Sequence, residues 1–162
     1  MSRNCLCAAL ALLLLLAGCA DPPGYRGAYL GMMTEELLSA RPLLREVAEG
    51  WSSDLAVFES GPSGDVRNEY YLVKDGLLAV IIVLHDREAG FLEIQERFVA
   101  ERGRPNRRLQ LYGRPMVSWQ TWRGNTHLLK TGHAGRRALK LPLGQEIQVE
   151  GEQVVAIISA ED

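Results

Sequence analysis

Cysteine is scarce in this chain: three in 162 residues, at Cys5, Cys7 and Cys19, all within the first nineteen. No disulfide framework can be built from them downstream. The three histidines, His85, His127 and His133, leave little for a metal cluster, and no Cys or acidic ligand lies between His127 and His133. Aromatics are 7% of the chain, and 18 basic side chains against 20 acidic ones leave a net charge of -2, which argues against a dedicated nucleic-acid binder. The sequence also lacks a Gly-x-Ser-x-Gly elbow, a phosphate loop, a dinucleotide fingerprint and a His-Glu-x-x-His helix. With 47% hydrophobic and 23% charged residues, the remainder describes one ordinary globular domain.

The first segment stands apart from that domain. Arg3 precedes an almost pure Leu/Ala run, Leu6 to Ala17, which closes on small residues. A basic start, an apolar stretch of about 7–15 residues and a small-residue end mark a secretory signal. The run is too short to cross a bilayer, which takes about 20 residues. It ends Leu16-Ala17-Gly18-Cys19 and there resembles the lipobox of bacterial lipoproteins. That resemblance implies a signal peptide over 1–18, cleavage between Gly18 and Cys19, and a diacylglycerol on the Cys19 sulfur, often with a further acyl chain such as palmitate on its new amine. One chain holds a protein only marginally to a membrane, whereas two or three hold it firmly. Ala20 rather than aspartate follows the cysteine; by the resemblance this favours the outer membrane, facing the periplasm. Cys5 and Cys7 would leave with the signal, so the mature chain would keep no thiol able to form a disulfide.

Residues 19–27, with two prolines and two glycines, read as the lipidated cysteine and an extended tether. A single domain over 28–162 follows. Thr34-Glu35-Glu36 predicts a helix start with Thr34 as N-cap. Pro42 interrupts the helical spacing and predicts two short pieces, 34–41 and 42–48. Strands are expected at 54–59, 66–73 and 77–84, the last two joined by an Asp75-Gly76 turn. The 77–84 run is apolar on both sides, which suits a central strand. Phe91, Ile94, Phe98 and Val99 share one face of a helix over 90–102 that Gly103 and Pro105 stop. Strands are then expected at 107–112, 116–122, 126–131 and 137–141, with a closing hairpin of 146–150 and 153–159. Helices and strands segregated in this way predict an α+β fold, an antiparallel sheet with short helices packed on one face. A helix, Arg-Pro and tryptophan occur at Glu35–Leu38, Arg41-Pro42 and Trp51 and again at Ile94–Glu101, Arg104-Pro105 and Trp119. That echo leaves open a single unit or two degenerate helix-plus-sheet modules.

At Gly31-Met32-Met33-Thr34-Glu35-Glu36-Leu37-Leu38 the chain resembles the opening of small outer-membrane lipoproteins of the SmpA/OmlA type and their relatives with the β-lactamase-inhibitor-protein-like fold. Met33 is an extra residue in that pattern, and no contact position of the family is recognisable elsewhere. The resemblance implies helices against an antiparallel sheet, sometimes twice, and a non-catalytic protein that binds proteins and assists envelope assembly, without cofactor.

Two features could carry function. His85-Asp86 ends the central strand, where a small envelope hydrolase could place a catalytic pair. Neighbouring strand residues, however, point to opposite faces. The other is charge: from Arg97 to Lys140 there are eleven bases and one acid, Glu101, while 21 to 96 hold fourteen acids and six bases. Such a block is either a surface for an envelope protein or an anionic envelope component, or is paired internally across the sheet. Val117, Trp119 and Thr121 read as the inward face of their strand, which leaves Trp122 outside beside Arg123 unless a bulge turns it in. Arg108, Tyr112, Trp122 and Arg123 are therefore the candidate binding surface. Neither a metal nor a small-molecule substrate is expected. An inhibitor or immunity-type protein is a third reading that the fold resemblance allows.

Overall fold

Residues 77–84 and 154–158 are apolar at every position, and such strands are stable only with both faces covered. The computed structural model describes residues 22–47, 50–111, 113–132 and 136–160 and sets these two runs side by side in the middle of an eight-stranded sheet. In chain order the strands are β1 (Gly24–Tyr25), β2 (Ala28–Tyr29), β3 (Arg45–Glu46), β4 (Leu55–Ser60), β5 (Val66–Lys74), β6 (Leu77–His85), β7 (Arg107–Leu111), β8 (Arg114–Thr121), β9 (Gly124–Lys130), β10 (Arg136–Lys140), β11 (Glu146–Glu150) and β12 (Val154–Ser159). Helix α1 (Thr34–Ala40) precedes β3, and α2 (Phe91–Arg102) precedes β7. The large sheet runs β3-β4-β5-β6-β12-β9-β8-β7, antiparallel throughout, while β1-β2 and β10-β11 form separate hairpins. The fold is α+β and dominated by sheet.

Period-two alternation sorts the core into two layers. Phe58, Tyr71, Ile81, Val83, Trp119 and Ile158 bury with Leu37 of α1 and with Ile94 and Phe98 of α2. Val57, Leu72, Ile82, Leu129, Val155 and Ile157 face the other way and bury with Ile147 and Val149 of β11. Helices therefore cover one face and the β10-β11 hairpin part of the other. The Asp75-Gly76 turn between β5 and β6 has φ of 52° and 80°, the paired left-handed geometry that two-residue hairpins favour.

Several expectations change. No helix forms over the described part of 42–48; the chain turns at Pro42 and enters β3. The helix N-cap is Met33 rather than Thr34, and the Glu36 carboxylate accepts from the Met33 N–H at 3.0 Å. The expected closing hairpin does not exist: β11 pairs with β10, and β12 runs between β6 and β9. All six β12 residues are buried, whereas β11 alternates exposed and buried, so only β12 suits the sheet centre. The tether reading fails from Pro22 onward. Tyr25 stacks on Phe98 with ring centroids 6.4 Å apart, Leu30 N–H donates to the Pro23 carbonyl at 3.0 Å, and β1 pairs with β2. The folded unit thus begins before residue 28. Gly18, Cys19, Tyr112 and His133 lie outside the described residues.

Candidate functional site

The β8-β9 hairpin carries the aromatic-basic pair. Alternation turns Trp119 inward, where it is buried and donates from Nε1 to the Gly103 carbonyl at 2.7 Å. Trp122, three residues on and in the turn, is 74% exposed. No bulge brings it in. The Arg123 guanidinium lies 4.4 Å from the Trp122 ring centroid, a cation–π distance. Thr121 Oγ1 fixes the turn by donating to the Gly124 carbonyl at 2.8 Å and accepting from the Arg123 N–H at 3.3 Å. Gly124 is required where β9 begins: its φ is 141°, and a Cβ there would stand 2.6 Å from the Ser159 carbonyl oxygen.

The turn borders a cavity of about 590 Å³ whose wall includes Pro22, Pro23, Arg102 and Arg104 as well as Glu101. Arg104, which the sequence marks only as part of the Arg-Pro echo, thereby joins Trp122 and Arg123 on one cavity wall. Its signal was the Gly103–Pro105 helix stop, which swings the chain back beside β8. Arg102 is half-buried: it donates to the Gly24 carbonyl, its guanidinium lies over the Phe98 ring at 5.4 Å, and burial holds its pKa below the ordinary value. Arg108 is exposed but sits elsewhere, opposite Val117 on edge strand β7. Five residue steps separate that register from Trp122, about 16 Å of strand. Arg108 therefore lies apart from the Trp122–Arg123 turn.

Part of the basic block is paired internally. Arg97 binds Asp65, while Arg114 and Lys130 bind Glu152 at 3.3 and 3.2 Å. For these three residues the internal-pairing reading of the charge block holds.

A polar cluster that the sequence reading missed lies between the helices and the sheet. Glu69 is fully buried in β5, in the same alternation as Tyr71 and Val73, and accepts from Arg26 Nη1 at 3.0 Å, from Arg41 Nη2 and from the Tyr71 hydroxyl at 2.8 Å. Burial and the adjacent Glu69 carboxylate push the Tyr71 pKa well up. A glutamate in a core register was the available signal. Its partners come from the β1-β2 turn and the end of α1, so it fastens the N-terminal hairpin to the sheet.

His85 pairs not with Asp86 but with Asp65: Nδ1 and the carboxylate are 3.1 Å apart, across from the Val66–His85 register. Arg97 grips the same carboxylate, Nη1 to Oδ1 at 2.9 Å, and holds the Asp65 pKa well below the usual carboxylate range. Burial pushes the His85 pKa down, with Asp65 opposing it. The ring is 2% exposed, and Nε2 is buried without a hydrogen-bond partner. Proton transfer to a bound substrate from a nitrogen so enclosed would require the site to open. Among the described residues no three His, Cys, Asp or Glu side chains group as a metal site, and no helix is long and apolar enough to cross a membrane.

No protein-family model, curated protein or solved structure matches this chain.

Proposed function

We propose that this chain is a lipid-anchored, non-catalytic binding protein of the bacterial cell envelope, held at Cys19 on the periplasmic side of the outer membrane. Its contact point with an envelope protein or anionic envelope component is the Trp122–Arg123 turn with Arg104. The observation that carries this reading is Trp122 itself, 74% exposed under a guanidinium; large aromatics paired with arginine are the side chains that anchor interfaces. The lipobox supports the anchor, and the resemblance to SmpA/OmlA-type lipoproteins supports an accessory role in assembly. We also propose two degenerate modules, α1 with β3–β6 and α2 with β7–β9 and β12. The strand order supports this, since each half runs from an edge to the centre and follows its own helix.

Two variants test the reading. Cys19→Ser leaves the precursor uncleaved and without acyl label; normal cleavage of that variant, with no acyl label on the wild type, overturns the anchor. Trp122→Ala with Arg123→Glu reduces the envelope material that co-purifies with the protein at unchanged melting temperature. An equal fall in stability would make the turn structural and overturn the contact surface.

A further inference from the structure

We infer that the Trp122–Arg123 turn seats in the phospholipid headgroup layer of the very membrane that holds the acyl chains, so that it sets the orientation of the domain on that surface. This inference rests on the proposed lipid anchor at Cys19 and names the anionic component that the turn meets.

The argument begins with where the folded chain starts. Pro22 and Pro23 line the same cavity as Trp122, Arg123 and Arg104. Cys19 is three residues before Pro22, and three residues span at most about 10 Å. An acylated Cys19 therefore keeps Pro22, and with it this end of the molecule, within about 10 Å of the bilayer. The start of the fold is also clamped. Arg102 holds the Gly24 carbonyl, Tyr25 stacks on Phe98, and Arg26 reaches the buried Glu69. The chain cannot peel away to lengthen the leash without breaking those contacts.

The chemistry at that end suits a headgroup layer. Tryptophan concentrates at membrane–water interfaces, where its apolar ring and polar N–H are both satisfied. Arg104 and Arg123 supply cations for phosphates, and arginine binds phosphate oxygens in a planar fork. Glu101 is the carboxylate on the cavity wall. Tyr29, 40% exposed on the β1-β2 hairpin, lines an adjoining cavity that shares Pro22. An acidic protein could also meet an aromatic-basic turn, but the three-residue leash leaves a thick partner no room between the turn and the bilayer.

The test uses the acylated mature protein in vesicles of phosphatidylethanolamine and phosphatidylglycerol brominated close to the headgroup, with mass analysis of its N-terminal peptide reporting acylation separately. Tryptophan fluorescence is quenched in the wild type, and that quenching is lost in Trp122→Phe, which leaves Trp51 and Trp119 as the baseline. It weakens in Arg104→Glu with Arg123→Glu, and in high salt, because exposed charges are screened beyond about 8 Å at physiological ionic strength. Acylated protein whose Trp122 stays unquenched overturns the inference and leaves the anchor standing. An unacylated Cys19 overturns both. Cross-linking of Trp122 to a protein in intact envelopes, without quenching by lipid, overturns the headgroup in favour of a protein partner.

Discussion

Two buried ionisable residues, Glu69 and His85, show how much a single position decides. A carboxylate removed from water survives only when charge and hydrogen bonds replace its hydration. Glu69 has two arginines and a tyrosine hydroxyl, and losing one partner of such a buried pair costs about 3–5 kcal/mol. His85 and Asp65 give the stability a pH dependence. The folded pKa of His85 lies below its ordinary 6.5, so the unfolded chain takes up a proton first as pH falls. The stability from a neutral His85 is complete above pH 6.5 and is lost as pH falls toward the folded value. Asp65 acts in the same direction further down, being depressed from its ordinary 3.8. The melting temperature therefore falls as the pH drops below about 6.5, and His85→Gln flattens that fall. Circular dichroism melts across this range check it; parallel profiles for the two proteins would refute the assignment to His85.

At the scale of elements, local signals located strands better than they paired them. The Asp75-Gly76 turn, the central β6 and the well-stopped α2 follow from residue spacing alone. The 146–150 and 153–159 segments looked like one hairpin because two short strands with a turn between them satisfy every local rule. What separates them is that β12 is apolar on both faces and β11 on one, a difference that matters only when helices on one side and the β10-β11 hairpin on the other are present to cover β12. Glycine tests the same distinction. Gly76 has φ of 80° with open space around it, while a Cβ on Gly124 meets the Ser159 carbonyl at 2.6 Å and Leu30 Cδ1 at 2.9 Å. Gly76→Ala costs about 1 kcal/mol, from the left-handed backbone alone. Gly124→Ala costs about 3 kcal/mol, because a steric clash with a neighbouring strand adds to that strain. Denaturant midpoints measure both, and equal losses would show that the contact with β12 is not tight.

For the whole molecule, the docked N-terminal hairpin changes where the domain starts. A chain beginning at Ala20 unfolds in a single transition and is indifferent to chelators and reductants. One beginning at Ala28 loses the Tyr25–Phe98 stack and the Arg26–Glu69 pair. Burial of an aromatic ring and loss of one partner of the buried Glu69 together amount to about 5 kcal/mol. In a domain of this size that lowers the melting temperature by about 15 °C. Scanning calorimetry of the two chains decides it; identical transitions would return residues 22–27 to the role of a tether.

By itself the sequence determined what is local. Hydrophobic alternation, turn residues and helix stops act between near neighbours, so the α+β class, most strands and the outward Trp122 were legible without coordinates. The lipobox resemblance at Cys19 is local too. Tertiary structure alone decided the rest, because it depends on segments far apart in the chain. It placed β12 between β6 and β9 and covered part of the second face of the sheet with β10-β11. It matched Asp65 rather than Asp86 to His85 and brought Arg26 and Arg41 to Glu69. It also put Arg104 on the same cavity wall as Trp122 while carrying Arg108 away along the edge strand. The physical reason is the same in each case: a buried charge or a two-sided apolar strand must find partners, and the partners that fit are chosen by proximity in space, which no short window of residues contains.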